Sequence, residues 1–132
     1  MEMTERIQEA VNSRVWAVVG ASNDRSKYGN RIYRDLLAAG YSVYPVNPNE
    51  ERVEGAPAFA TIEDLPEKPD VVDVVVPSSV GEQIAQHTAD AGIRFFWLQP
   101  GAESPELIES AEDLGLEVIH HACAMVEKRT WI

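Results

Sequence analysis

The sequence predicts an α/β fold: a doubly wound, parallel, five-stranded sheet with helices on both faces. Two observations carry that reading. Short apolar runs alternate with helical patterns along all 132 residues. Glycines and prolines fall at the ends of those runs and helices, where breaks are needed. Strands that alternate with helices pair in parallel through right-handed crossovers. The expected strand order is 3-2-1-4-5, with ligand-binding loops at the carboxyl ends of the strands near the switch point. Residues 1–132 are expected to form one domain, with a leading helix over 1–13 and a tail over 120–132 packed on it.

The elements follow in order. Thr4 is placed to cap the leading helix, with Ile7, Ala10 and Val11 on one face. Val15 to Val19 reads as a buried strand. A helix over 29–39 turns Ile32, Leu36 and Leu37 inward, and Gly40 stands at a left-handed cap. Residues 41–46 form the second strand, closed by Asn47-Pro48-Asn49. Residues 50–57 read as a charged loop, and Thr61-Ile62-Glu63-Asp64 as a capping box on a short helical turn. Residues 71–76 are the clearest strand, interrupted by Asp73. The next helix has Val80, Ile84, Thr88 and Ala91 near one face and stops at Gly92. Residues 94–98 form an aromatic-rich strand. Ser104-Pro105-Glu106 is a strong helix start: a cap, a proline at the first position and an acid in the first turn. Residues 116–119 give the last strand.

Composition narrows the function classes. No apolar run approaches the ~20 residues of a membrane span, and no signal-peptide core follows the acidic start, so a cytoplasmic protein is expected. The net charge of −11 lacks the basic footprint of a nucleic-acid binder. Lysine occurs only at 27, 68 and 128; an acidic, lysine-poor surface suits a high-salt cytoplasm as well as an ordinary acidic protein. One cysteine, Cys123, excludes an internal disulfide.

The strand-exit loops are where ligand chemistry is expected. Gly20 permits a tight turn and close approach of an anion, and Ser22 and Asn23 add short polar groups. Tyr28 and Gly29 open a helix whose N-terminus favours a phosphate. Arg25, Lys27 and Arg52 are candidate charge partners. The loop departs from the G-x-G-x-x-G dinucleotide pattern at Ser22, and Val46-Asn47-Pro48 stands where an NAD site carries an acid. A ligand with a phosphorylated ribose, NADP among them, is easier to accommodate. Pro77-Ser78-Ser79-Val80 is expected across the cleft, with a serine also able to cap the helix. No catalytic constellation stands out. His87 reads as a surface residue in mid-helix. His120, His121 and Cys123 admit a nucleophile–base pair, part of a metal site, or a cysteine that merely packs the tail.

Taken together, Val18-Val19-Gly20-Ala21-Ser22, Gly40-Tyr41-Ser42-Val43-Tyr44-Pro45-Val46-Asn47-Pro48, Val72-Asp73-Val74-Val75, Trp97-Leu98-Gln99-Pro100-Gly101 and Cys123-Ala124-Met125-Val126-Glu127 carry a resemblance. They resemble the small CoA-binding protein family, whose fold is similar to the CoA-binding domain of the succinyl-CoA synthetase alpha subunit. The resemblance covers about residues 15–128. It implies a Rossmann-like domain that binds coenzyme A or an acyl-CoA. By position, Gly20, Ala21, Ser22 and Asn23 would hold the pyrophosphate, and Val46, Asn47 and Pro48 would border the adenosine. Val76, Pro77, Ser78 and Val80 would line the opposite wall, with Gln99, Pro100 and Gly101 toward the pantetheine and thiol. Two positions depart from the family pattern: Lys128 stands where a histidine often follows the Val-Glu pair, and Pro77-Ser78-Ser79 replaces an arginine-containing exit. Arg25 and Lys27 are left as candidates for the 3′-phosphate. The synthetase relatives also need a phosphohistidine domain, so a binding module without its own chemistry is expected. The alternatives are an NADP-linked oxidoreductase and an interaction protein that senses acyl-CoA.

Overall fold

A computed structural model describes residues 2–128. The parallel sheet is built from β1 (Val15–Val19), β2 (Ser42–Val46), β5 (Val71–Val74), β6 (Phe95–Leu98) and β7 (Glu117–Ile119). A separate two-stranded ribbon pairs β3 (Arg52–Val53) with β4 (Ala56–Pro57). The helices are α1 (Met3–Val11), α2 (Tyr28–Ala38), α3 (Ser78–Asp90), α4 (Pro105–Asp113) and α5 (Ala124–Glu127).

Alternation along the strands sorts the core into two layers. Trp16, Val18, Val71, Phe95, Trp97 and Ile119 face α1, α2 and α5. Ala17, Val19, Val72, Val74, Phe96, Leu98 and Val118 face α3 and α4. The fold is therefore three-layered and Rossmann-like, with helices on both faces as expected. The rings of Trp16 and Trp97 pack at a tilt with centroids 5.5 Å apart, and their ring N–H groups reach the carbonyls of Ser13 and Ala122. Burying such a ring with its polar end satisfied contributes about 2–3 kcal/mol.

The strand order is β2-β1-β5-β6-β7. In the numbering of the five sheet strands this is 2-1-3-4-5, which corrects the expected 3-2-1-4-5. The physical reason is Pro45. Ser42 donates its N–H toward β1 at Arg14, and Gly20 donates back to Val46. The odd-numbered residues of β2 therefore face outward, and at 45 the outward N–H is missing. A full strand cannot pair there. Among the described residues only Phe59 pairs on that side, donating to the Pro45 carbonyl and accepting from Asn47. The third strand goes instead to the far side of β1, where its four buried residues are covered on both faces.

Smaller differences have local causes. The first helix begins at Met3, so Thr4 lies inside the first turn and makes no cap. Thr61 bonds to the Asp64 carboxylate rather than to the backbone of the short 3-10 turn Ile62–Asp64. The expected charged loop over 50–57 holds the β3–β4 hairpin, whose turn places Glu54 (φ 50) and Gly55 (φ 83) in the left-handed region. Tyr33 joins Ile32 and Leu36 on the buried face of α2, and Leu37 is 42% exposed, one residue past that stripe. Ser104 caps α4 as expected, accepting from the Leu107 N–H at 3.1 Å. Residues 129–132 of the tail lie outside the described residues.

The excess of acidic groups leads to a test of the high-salt expectation. Salt at molar strength shortens the screening length to about 3 Å and removes self-repulsion of a −11 surface. The unfolding temperature is expected to rise by several degrees between low and multimolar potassium chloride. A flat or falling response refutes it.

Candidate functional site

A cleft of about 830 Å³ opens at the carboxyl ends of β1, β2 and β5. That volume lies within the range of sites for drug-sized ligands. Its floor is Val19 and Gly20; Ser22, Lys27, Tyr28 and Gly29 form the first side. The β2 exit supplies Val46, Asn47, Pro48, Asn49 and Glu50, followed by Ala60, Thr61 and Ile62. Opposite stand Val75, Val76 and Pro77, continued by Val80, Gln83, Ile84 and His87 from α3. Those four α3 residues follow the spacing of one helical face. Gly81, Ala85 and Thr88 are the buried residues of that helix, so the cleft face and the core face are different stripes.

The β1–α2 loop is held by three asparagines. Buried Asn30 donates to the Ser22 carbonyl at 2.7 Å and to the Glu54 carboxylate at 3.0 Å. Asn47 donates to the Ala21 carbonyl at 2.9 Å and accepts from the Asn49 N–H. Asn23 donates to Glu50 and to the Arg52 carbonyl, and accepts from the Glu54 N–H at 2.9 Å. Arg25 pairs with Glu54. Hydrogen bonds from Arg25, then from Asn30, hold the Glu54 carboxyl below the usual carboxylate range. The hairpin is thus laced to the loop through the Glu54 carboxylate and through the backbone bonds of Asn23 to Arg52 and Glu54. Within the loop, Gly20 has φ 103 and its N–H bonds to the Val46 carbonyl. The N-cap of α2, Lys27, makes no side-chain capping bond; the Asn30 N–H turns back to the Lys27 carbonyl at 3.2 Å, which leaves the N–H groups of Tyr28 and Gly29 for another acceptor.

The structure brings together Gly20, Ser22, Lys27, Tyr28, Gly29, Val46, Asn47, Pro48, Val76, Pro77 and Val80 around the cleft. It places the other expected residues elsewhere. Ala21 is buried in the core, Asn23 and Arg25 turn to the hairpin, and Gln99 is fully buried behind the cleft. Ser78, Pro100 and Gly101 lie outside its lining. Sequence reasoning missed Asn30, Glu54, Gln83 and His87. Only the last two had a readable signal, the stripe of Val80, Gln83, Ile84 and His87. In place, His87 Nδ1 lies 3.0 Å from the Glu63 carboxylate.

Behind Tyr28 lies a second polar cluster. The Tyr28 hydroxyl is 2.7 Å from Cys123 Sγ and 3.3 Å from Gln99 Oε1. Gln99 also accepts the Ala124 N–H and donates to Asp73 Oδ1. Asp73 is fully buried, and its Oδ2 has no hydrogen-bond partner among the described residues. Burial pushes its carboxyl up to about 8, against the opposing bond from Gln99. Burial, then the bond to Cys123, pushes the Tyr28 hydroxyl above its ordinary range, so it stays protonated. His120 and His121 lie against one another through their Nδ1 atoms. Among the described residues no group of three or more His, Cys, Asp or Glu side chains could hold a metal ion. No described helix is long and apolar enough to cross a membrane.

A cleft on a glycine–serine loop, over the switch point of a parallel sheet, is the site this fold uses for nucleotide-like ligands. A family model described as a CoA binding domain matches residues 14–129. The chain belongs to the CoA-binding domain family. Its relatives include the alpha subunit of an ADP-forming acetate–CoA ligase II from Pyrococcus furiosus, 31% identical over 85% of this chain and 27% of that protein. The chain thus spans little more than a quarter of that ligase subunit. A conserved hypothetical protein from Pyrococcus furiosus is similar in structure, with a TM-score of 0.83 and 45% identity over 86% of this chain and 98% of that one. So is the apo form of a dinucleotide-forming acetyl-coenzyme A synthetase 1 from Ca. Korarchaeum cryptofilum, with a TM-score of 0.75 and 31% identity over 85% and 27% of the two chains.

Proposed function

We propose that this CoA-binding domain holds coenzyme A or an acyl-CoA in the cleft and performs no chemistry on it. One observation carries the reading: a braced loop, Lys27 and the start of α2 all border the same cleft at the switch point. A pyrophosphate beside Gly20 and Ser22 meets the N–H groups of Tyr28 and Gly29 and the positive end of the helix. Lys27 lines the cleft while Arg25 is engaged with Glu54, which supports Lys27 as the partner of the 3′-phosphate. The adenosine lies against Val46, Asn47 and Pro48, facing the α3 stripe. No residue at the loop is arranged as a nucleophile with its base.

Titration with coenzyme A, dephospho-coenzyme A, NAD and NADP tests this reading. Coenzyme A is expected to bind tightest, and loss of the 3′-phosphate to weaken it by about tenfold, the size of one charge-assisted contact. Preference for NADP, or indifference among the four, would overturn it. Ser22→Asp places a carboxylate in the loop. It is expected to weaken binding at least about 100-fold through like-charge repulsion, with the melting temperature unchanged. Retained affinity would move the pyrophosphate elsewhere.

A further inference from the structure

Between the β2 exit and α3 the cleft is an apolar slot with a polar rim. Val46 and Ile62 belong to one buried apolar cluster, Ile84 packs against it, and all three line the cleft. On the β2 side the polar groups are engaged within the protein. Asn47 bonds to Ala21 and Asn49, Glu50 accepts from Asn23, and Thr61 donates to Asp64. Asn49 is exposed at the tip of its turn. On the α3 side Gln83 and His87 both line the cleft, four residues and so one helical turn apart. The Gln83 side chain has no hydrogen-bond partner among the described residues. His87 Nδ1 lies 3.0 Å from the Glu63 carboxylate. A carboxylate accepts and does not donate, so Nδ1 carries the ring proton. In a neutral imidazole the other nitrogen is then bare. His87 Nε2 is therefore an acceptor, fixed as one by Glu63, which itself stands outside the lining.

We propose that His87 selects the base of the ligand, admitting adenine and rejecting purines that carry a carbonyl in place of its amino group; this rests on the coenzyme A reading of the cleft. The apolar walls hold a flat ring, and the few polar groups on the rim read its edge. The exocyclic amino group of adenine is a donor, whereas hypoxanthine and guanine present a carbonyl oxygen at the same place. The amino group donates to His87 Nε2. A carbonyl oxygen meets Nε2 lone pair to lone pair, and both atoms lose their bonds to water. Gln83 acts differently. Its amide turns over to offer either N–H or C=O, so it adds affinity for either ring without telling them apart. Glu63 is a positioning residue: it does not touch the base, and acts by holding the ring proton on Nδ1.

The test compares coenzyme A with its deaminated form, which carries hypoxanthine for adenine, by calorimetric titration at pH 8, above the ordinary range of histidine. The parent is expected to prefer coenzyme A by at least about tenfold, the cost of one polar group left unpaired. His87→Ala should bring the two ligands within about twofold of each other, by loss of coenzyme A affinity. In Glu63→Gln the new amide can donate or accept, so the ring is free to carry its proton on either nitrogen. The preference should again fall to within about twofold. If Glu63 only braced its turn, both ligands would weaken together and their ratio would stand, which would overturn its positioning role. Gln83→Ala should weaken both ligands by about threefold and keep the ratio. Equal binding of the two ligands by the parent, or a preference that survives His87→Ala, would overturn the proposal and leave the coenzyme A reading standing. Failure of coenzyme A to bind the parent would overturn both.

Discussion

Gly29→Ala is expected to abolish ligand binding and to cost the fold at least about 3 kcal/mol, the upper range for overpacking. A Cβ at 29 would stand 2.1 Å from the Gly20 carbonyl oxygen, 3.0 Å from the Gly20 carbonyl carbon and 3.1 Å from Val75 Cγ2. The nearest of these are backbone atoms and cannot swing away. Gly20 is itself held by its N–H bond to Val46 and by a left-handed φ of 103. The first turn of α2 therefore has to lift off the loop, carrying its N–H groups out of the cleft. For a chain of this size the loss corresponds to a fall of about 10 °C in melting temperature. Gly55→Ala is the control. Nothing lies within 4 Å of its Cβ, so it meets only the left-handed penalty of φ 83, about 1–2 kcal/mol, with binding retained. Thermal denaturation and coenzyme A titration of both variants check this. A Gly29→Ala protein that melts and binds like its parent would refute the close approach.

The second large effect concerns Asp73. Its carboxyl titrates near 8 when folded, against 3.8 for the free group, because burial disfavours the charge. The folded chain therefore binds that proton more tightly than the unfolded chain does. Stability from this group is greatest at acid pH, falls as pH rises from about 4, and levels off above about 8. At about 1.4 kcal/mol per pKa unit, the loss across the window is several kcal/mol. Asp73→Asn cannot ionise. It should be more stable than the parent at pH 8.5 by about 2 kcal/mol, after the cost of an amide N–H left unbonded. At pH 5 the order should reverse or the two should coincide. Urea unfolding at both pH values decides it: a constant difference between the curves would mean that Asp73 does not titrate in the window.

Much of the fold was legible because it rests on local chemistry. Gly20 and Gly29 bracketed the loop, Gly40 marked the end of α2, and Ser104-Pro105 announced α4. The sheet order was not read, although Pro45 carried the signal, because an outward N–H is defined only once β2 has its partner. The β3–β4 hairpin was hidden for another reason. Its turn places a glutamate in the left-handed region, where propensity gives no cue, and the cost is offset by bonds to Asn23, Asn30 and Arg25 from far along the chain. At the cleft, the β1–α2 loop and the β2 exit were legible as motifs. His87 and Gln83 left a readable stripe with Val80 and Ile84, but its meaning emerged only when α3 proved to bury a different face. Asp73 was visible as a break in a valine run, but its partnership with Gln99, Tyr28 and Cys123 needed three strand exits in one place.

Pro45 has a consequence beyond strand order. An open sheet offers two rims on which another chain can add a strand and start an aggregate. At the β2 rim the missing N–H and the docked Phe59 segment interrupt any such template. At the other rim β7 is three residues long, and Arg6 from α1 caps the Val118 carbonyl. Among the described residues, neither rim offers an uninterrupted row of backbone groups on which a further strand could be templated.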